Sequence, residues 1–263
     1  MVVSGLPASA ARRPGLRKDG GPCRDWRRMK ALLACCLVLS NPAIALSCDG
    51  RQAHSGATAP IWVELYTSQG CSSCPPAERW LAALPSDTLA FAFHLDYWDY
   101  LGWRDRFARP EFAQRQREQR AVNGARGLYT PQVVVDGRDR LDWLRWQPGA
   151  AQAARLRIAL RASAGQVQAR IEALPGEPLP KLAGSWLVTQ RGLVTEVAAG
   201  ENGGRRLQHE HVVRQEQRLA PFEARGGGQS LSFRPEAEGD VSLLLTDAQS
   251  GRPIQGLRLR CSP

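Results

Sequence analysis

The chain has 263 residues, enough for one large or two modest domains, and 43% of them are apolar, as in ordinary soluble proteins. The net charge of +10 is concentrated in residues 1–45, which hold eight basic and two acidic residues and leave 27 basic and 23 acidic residues in the remainder. That remainder has a charge of only +4 and no basic stripe studded with aromatic residues, so it does not argue for a nucleic-acid or membrane partner.

The amino-terminal segment, residues 1–45, is predicted to contain no folded domain. Residues 1–28 are rich in Pro, Gly and Arg, and we interpret them as a non-native extension, with translation starting at Met29. Residues 29–45 combine a basic start, a short apolar run and an Ala-x-Ala ending, which is typical of a secretory signal peptide. The run is shorter than a membrane span requires, so we predict an exported protein, periplasmic or extracellular, without a membrane span in its mature form.

Three of the seven cysteines fall in this removed segment, and four remain: Cys48, Cys71, Cys74 and Cys261. An even number in an exported protein is consistent with disulfides. Cys71 and Cys74 form a local pair, which leaves Cys48 and Cys261, near the two mature ends, as a predicted structural disulfide. The open alternatives are a free thiol at either position or a lipid on Cys48, although the residues before Cys48 match a lipoprotein signal poorly.

The linker, residues 46–60, leads to an alternating apolar stretch at 61–66 that predicts a strand. After the sequence Gly-Cys-Ser-Ser-Cys-Pro-Pro, apolar residues at helical spacing predict a helix over 75–84. Cys71 therefore lies just outside a helix start, where the helix dipole and free N–H groups favour its thiolate, and Cys74 lies one turn away.

A C-x-x-C pair on such a turn, near a β-α-β pattern, indicates thiol–disulfide exchange. Half of a zinc site is the first alternative, but a second C-x-x-C or His–Cys pair is missing. A structural bridge is the second alternative, although such bridges usually close longer loops.

Residues 89–95 predict a second strand, parallel to the first, with His94, Asp96 and Trp98 at its end. Strand ends beside such a turn are where ligands contact open sheets, so these three residues are possible auxiliary site residues. His94 is either a proton acceptor for a thiol or a hydrogen-bonded structural residue. The aromatic residues that follow, up to Trp103, either form a wall beside the disulfide or pack under a helix predicted over 109–121.

A Thr130-Pro131 pair then leads into an apolar strand that ends in an Asp136-Gly137 hairpin turn. Ala, Leu and Ile at helical spacing predict a further helix over 149–162. Short alternating stretches punctuated by Gly and Pro follow it and predict an antiparallel sandwich or sheet.

Three blocks of this sequence resemble a known family. They are the segment 66–77 around the cysteines, the segment 94–103 (HLDYWDYLGW) and the segment 129–132 (YTPQ). Together they resemble a bacterial secreted thioredoxin-like family, domain of unknown function 1223, and the similarity extends to the Gly-Glu-Asn-Gly-Gly sequence at 200–204. The resemblance implies that Pro131 is a cis-proline beside the cysteines and that the backbone of Thr130 pairs with a bound peptide. Gly70 stands where many thioredoxins carry Trp, which puts ordinary thioredoxin substrates in question.

The predicted fold is an α/β thioredoxin-like domain over residues 61–164 followed by a mainly antiparallel β domain over residues 165–263. Residues 200–204 are interpreted as a turn, since a phosphate loop would need a following lysine and helix. His209 and His211 are predicted to share one face of a strand, but a third metal ligand is missing.

The predicted function is thiol–disulfide oxidoreduction, with Cys71 and Cys74 as catalytic residues and Thr130 and Pro131 aligning the substrate. The expected partners are protein thiols or disulfides and a redox partner that recycles the pair; no nucleic acid, cofactor or metal is predicted. The open alternatives are a Cu(I)-binding module and a structural scaffold whose cysteine pair stays oxidised. The absence of Met after residue 29 weighs against copper.

Overall fold

The structure, a computed structural model, describes residues 48–261 except 177 and 225–227. The predicted extension and signal peptide, with their three cysteines, lie outside the described residues. The strands in chain order are β1 (Gln52–His54), β2 (Thr58–Ala59), β3 (Trp62–Thr67), β4 (Leu89–His94), β5 (Gln132–Val135), β6 (Arg138–Asp139), β7 (Gln152–Ala153), β8 (Leu156–Ser163), β9 (Gln166–Ala173), β10 (Leu182–Gln190), β11 (Leu193–Glu196), β12 (Arg206–His209), β13 (Val212–Phe222), β14 (Gln229–Phe233), β15 (Asp240–Asp247) and β16 (Pro253–Leu259). The helices are α1 (Cys74–Ala82) and α2 (Pro110–Asn123), with short 3-10 helices at Asp96–Leu101 and Trp143–Arg145.

The predicted fold class, an α/β thioredoxin-like domain followed by a mainly antiparallel β domain, is wrong. Of the described residues 42% are in strands and 15% in helices, and one mixed sheet of eight strands has the order β16-β15-β10-β13-β4-β3-β5-β6. β13 pairs in parallel with β4, with Val212 opposite Ala92, so strands assigned to two consecutive domains belong to one sheet. The predicted boundary at residue 164 stays a prediction; it falls in the turn between β8 and β9.

The centre of the large sheet is formed by β3 and β4, whose residues are all buried. They run in parallel from Trp62 opposite Leu89 to Thr67 opposite His94, and β5 pairs antiparallel with β3 on the other side. The predicted strands at 61–66 and 89–95 and the Asp136-Gly137 hairpin are therefore confirmed, with both turn residues at positive φ.

The two α-helices cover opposite faces of this centre because successive strand residues point to opposite sides of a sheet. On one face, Leu81 of α1 packs with Val63 and Leu65. On the other face, Phe112 of α2 packs with Phe93 and other aromatic residues of the strands. Burial of each such side chain contributes about 1.5–3 kcal/mol, which holds both helices on the sheet.

A second sheet, of order β1-β8-β9-β14, packs on the β10, β15 and β16 part of the large sheet. The helix predicted over 149–162 is wrong, because these residues form β7 and most of β8. In β8 the apolar side chains Leu156, Ile158 and Leu160 are buried, while Arg157 and Arg161, at alternate positions, are exposed. This period of two overrides the ambiguous helical spacing.

Cys48 and Cys261 are joined by a disulfide inside the core between these two sheets. The bond links the first described residue to the last across 213 positions. Within the part of the chain that the structure describes, no helix is long and apolar enough to cross a membrane.

A buried arginine connects the helix α2 to two strands of the large sheet. Arg115 of α2 lies 2.5 Å from Glu64 of β3 and 2.6 Å from Glu216 of β13. All three side chains are less than one-tenth exposed. The two carboxylates raise the pKa of Arg115 well above its ordinary value, against the opposing effect of burial. The ion pairs therefore tie α2 to strands from both halves of the chain.

Candidate functional site

The cysteine pair lies where β3 passes into α1. The strand ends at Thr67, α1 begins at Cys74, and a disulfide joins Cys74 to Cys71 just outside the helix. Pro75 and Pro76 occupy the first helical turn, where their missing N–H groups need no partner. Both cysteines are fully buried, and the Ser73 hydroxyl lies 3.4 Å from the Cys71 sulfur.

The other residues predicted for catalysis, Thr130 and Pro131, lie at the same end of the sheet. The Thr130–Pro131 peptide bond is cis. Gln132, the next residue, lies opposite Tyr66 near the end of β3. Thr130 and Pro131 therefore lie beyond that end of β3, where the cysteine turn begins. Both residues are half-buried, and the Thr130 hydroxyl has no hydrogen-bond partner among the described residues.

The predicted auxiliary residues separate into two places. Trp98 packs against the cysteine turn beside Gly70. A Cβ added at Gly70 would lie only 3.2 Å from the Trp98 Cβ, so Trp98 occupies the space that a side chain at position 70 would need. Asp96 begins the 3-10 helix and is half-buried. His94 is fully buried, and its Nδ1 lies 2.7 Å from Asp105.

A loop from the far end of the sequence covers the cysteine turn. Asn202 donates hydrogen bonds to the carbonyl oxygens of Gln69 and Cys71, at 3.0 and 2.9 Å. The Glu201 carboxylate accepts hydrogen bonds from the Ser72 N–H and hydroxyl, at 2.9 and 2.8 Å. We call residues 200–204 the covering loop. These contacts hold the turn from its exposed side at Ser72 and from its buried side at Cys71.

Sequence reasoning treated the covering loop as a turn and missed its contacts with the cysteines. Glu201 and Asn202 are about 130 positions from their partners, and a local pattern carries no information on such a pairing. The available signal was the resemblance of the Gly-Glu-Asn-Gly-Gly sequence to the same family as the cysteine motif.

The comparison with protein families covers both the cysteine motif and the covering loop. The sequence profile of the family described as protein of unknown function, DUF1223, matches residues 62–244 and so includes both the cysteine turn and the covering loop. The chain belongs to the DUF1223 family. No curated protein matches the chain.

Two solved structures are similar to this DUF1223 chain in fold. A crystal structure of an Agrobacterium tumefaciens protein has 24% identity and a TM-score of 0.63, and the match covers 79% of this chain and 97% of that one. HBP35 of Porphyromonas gingivalis has 12% identity and a TM-score of 0.56, over 78% of this chain and 76% of that one. At these identities the likeness concerns the fold alone.

Gln69, just before the cysteine turn, connects the turn to a buried polar cluster. Its N–H donates to Asp105 at 2.9 Å, its side-chain oxygen accepts from the Trp103 indole at 2.9 Å, and its side-chain nitrogen donates to Thr195. The same nitrogen lies 3.3 Å from Nε2 of His209. A single glutamine therefore joins the cysteine turn, the aromatic segment and β12.

The cluster consists of two acid–histidine pairs. His94 pairs with Asp105, and His209 pairs with Glu78 of α1, whose Oε2 lies 2.6 Å from the His209 Nδ1. Burial alone would lower the pKa of His94, but the charge and hydrogen bond of Asp105 raise it. Burial alone would raise the pKa of Asp105, but His94 and two backbone N–H groups lower it. The His94–Asp105 pair is therefore favoured in its charged form.

The prediction that His209 and His211 share one face of a strand is wrong. β12 ends at His209, and His211 has a φ of +57° in the connection to β13, so the alternation stops between them. Burial, together with the positive charge of Arg258, lowers the pKa of His211 to about 3. The neighbours of His209 are instead Glu78 and His94, and one possible ligand atom from each lies within 4.8 Å of the other two.

Proposed function

We propose that this protein is a thiol–disulfide oxidoreductase whose active pair is Cys71 and Cys74. The observation that carries the proposal is the disulfide at the start of α1, with Cys71 just outside the helix and Cys74 its first residue. Once the pair is reduced, the partial positive charge and free N–H groups of the helix start stabilise a thiolate at Cys71. A thiolate in that position is the nucleophile that exchange requires.

The reaction is a pair of displacements at sulfur. The Cys71 thiolate attacks one sulfur of a substrate disulfide, the substrate S–S bond breaks, and the other substrate sulfur leaves as a thiolate. Cys74 then loses its proton and attacks the Cys71 sulfur, which releases the second substrate thiolate and leaves Cys71–Cys74 oxidised. The reverse sequence oxidises a substrate dithiol. Thr130 and Pro131, at the same end of the sheet as the cysteine turn, would align the substrate backbone.

Access to the sulfurs requires the covering loop to move. Both cysteines are fully buried in the oxidised state, and exchange needs a nearly linear approach to one sulfur. The Glu201–Ser72 contacts are exposed. They are therefore the part of the covering loop that solvent or a partner reaches first. A protein substrate would displace the covering loop and take its place against Cys71.

The proposed location is the periplasm or the extracellular space, with protein thiols or disulfides as partners. The signal-peptide pattern supports export, and two disulfides among the described residues are consistent with an oxidising compartment. The Cys48 sulfur is bonded to Cys261 and so cannot also carry a lipid, which supports a protein without a lipid anchor.

A structural scaffold with a permanently oxidised pair is the second candidate. Full burial of Cys71 and Cys74 is the observation that favours it, since exchange sites are usually at least partly accessible. In this candidate the covering loop would protect the bond from reduction and would have no need to open.

Single-turnover exchange with a chromogenic aromatic disulfide tests the proposal. The selectively reduced wild-type protein should release two equivalents of chromophore, one for each displacement. Cys74→Ser should release one equivalent and retain a stable mixed disulfide on Cys71, whereas the matched variant Cys71→Ser should react far more slowly at Cys74. Equal, slow reaction of both single variants would contradict a nucleophilic Cys71.

A further inference from the structure

We propose that Glu78, His94 and His209 form a divalent cation site of the zinc type. One nitrogen from each histidine and one carboxylate oxygen lie within 4.8 Å of one another. The three residues come from α1, the end of β4 and the end of β12, so they are held by three separate elements. Their exposed fractions are 7%, 0% and 0%, which makes this a built interior site rather than a surface cluster.

A second and independent observation is the state of the His94 ring. Its Nε2 is buried and has no hydrogen-bond partner among the described residues, although buried polar atoms are normally paired. Its Nδ1 is held by Asp105 at 2.7 Å. A histidine that binds a metal through one nitrogen almost always donates its other N–H to a carboxylate or carbonyl. His94 therefore has the outer partner of a ligand and an Nε2 that no other described residue engages.

The other two residues also have their remaining polar atoms held. The second oxygen of Glu78 accepts a hydrogen bond from the Thr67 hydroxyl at 2.8 Å, and Nε2 of His209 lies 3.3 Å from the Gln69 amide. Each candidate ligand thus has an outer partner that orients it, as metal ligands generally do.

The charges of the cluster favour a cation. Among the described residues, the ion-pair partners of Glu78 and Asp105 are the two histidines, and no arginine or lysine pairs with either carboxylate. Once both histidines bind through neutral imidazoles, a divalent cation would offset the negative charge of the two buried carboxylates. Two histidines and one glutamate with one open position are a donor set that Zn²⁺ takes in proteins.

Binding would require a small rearrangement with a visible consequence. The ligand atoms of a tetrahedral zinc site are about 3.3 Å apart. The most widely separated ligand atoms, which lie within 4.8 Å of each other, must therefore approach, while the Glu78 oxygen and the His209 Nδ1, 2.6 Å apart, must separate slightly. The cation would take the place of two protons: the proton between Glu78 and His209 would move to Nε2 of His209, and the Nε2 proton of the charged His94 would be released to solvent. The Gln69 amide must turn to accept the Nε2 proton of His209, which withdraws its oxygen from the Trp103 indole. Trp103 fluorescence should therefore report the binding.

Titration of the chelator-treated protein with Zn²⁺, and with Co²⁺ as a spectroscopic probe, tests this inference. The wild-type protein should bind one equivalent in the micromolar range or tighter, with visible Co²⁺ bands of four-coordinate intensity and a fluorescence change that is lost in Trp103→Phe. His94→Asn and His209→Asn should each weaken binding more than about 100-fold, and Asp105→Asn about 10- to 100-fold. The matched control His54→Asn, at an exposed position, should bind as the wild type does.

The cysteines separate this site from metal capture by thiolates. The Cys71→Ser/Cys74→Ser protein should retain the cation, because the proposed ligands do not include sulfur; this outcome is independent of whether the cysteines exchange disulfides. Circular dichroism of each variant shows whether it is folded. The inference is overturned if folded wild-type protein shows no saturable binding, or if binding survives replacement of both His94 and His209.

Discussion

Asn202 donates a hydrogen bond to the main-chain oxygen of Cys71 across 131 positions of sequence. The same amide group contacts Gln69, so one side chain from the covering loop satisfies two carbonyls of the cysteine turn. Arg205 orients Asn202 through a 2.8 Å hydrogen bond to its side-chain oxygen. We therefore expect reduction of the pair to depend on the position of the covering loop.

Asn202→Ala should accelerate reduction of Cys71–Cys74. The substitution leaves the Gln69 carbonyl oxygen without its partner and the Cys71 carbonyl oxygen with the Cys74 N–H alone. This loss costs about 1–3 kcal/mol of the closed state, and each 1.4 kcal/mol corresponds to about tenfold in an equilibrium constant. The rate of reduction by a small thiol, followed by alkylation and mass spectrometry, should rise about tenfold.

The matched control is Asn123→Ala, which removes a buried asparagine at the end of α2 that bonds to Ala125. It should lower the free energy of unfolding without changing the reduction rate under native conditions. Equal acceleration by both substitutions would indicate a general loss of stability instead of loop opening.

Glu201 should make reduction depend on acidity. Hydrogen bonds from the Ser72 N–H and hydroxyl lower the pKa of Glu201 from its ordinary value of 4.5. Because the folded-state pKa is depressed, the contact is complete above the ordinary pKa and is lost as pH falls through the folded value. Reduction by a phosphine, which acts in acid, should therefore accelerate as the pH falls from about 4.5 to about 3.

Glu201→Gln is the control for that profile. The amide cannot ionise, so the variant should be reduced faster than the wild type near neutral pH and should show no acceleration from this group on acidification. A wild-type rate that stays constant over the same range would contradict a role for the carboxylate.

Arg115→Met should destabilise the protein by about 3–5 kcal/mol, since it leaves Glu64 buried without its cation and Glu216 with only Arg218, at 3.9 Å. Urea unfolding measures the change. Arg206→Met, at an exposed position paired with Glu196, should cost less than about 1 kcal/mol. Adding Glu64→Gln and Glu216→Gln to Arg115→Met should recover much of the loss; an additive loss would contradict the ion-pair explanation.

Local patterns were sufficient for the elements around the cysteines. Alternation identified β3 and β4, and the two prolines after the cysteines placed the start of α1. These signals arise from side-chain period and from backbone restrictions within a few residues. The same kind of signal failed at residues 149–162, where small apolar residues fit both periods and packing between two sheets selected the strand.

The fold class and the rest of the site depend on contacts that no local pattern contains. The pairing of β13 with β4 joins residues 120 positions apart and places strands from both predicted domains in one sheet. From the sequence, the only neighbouring metal ligand that His209 offered was His211. Glu78 and His94 are distant in sequence and lie near His209 only in the tertiary structure. Burial of charged residues such as Glu64 and Arg115 likewise follows from pairing between distant elements.

The reduction potential of Cys71–Cys74 tests the central claim most directly. Equilibration with glutathione or dithiothreitol buffers, followed by trapping and peptide mass spectrometry, reports it alongside the Cys48–Cys261 bond, which serves as an internal reference in the same molecule. An exchange role predicts a value between roughly −120 and −270 mV for Cys71–Cys74 and a lower one for Cys48–Cys261. A value below roughly −300 mV for Cys71–Cys74 would contradict the exchange role and identify a structural bond.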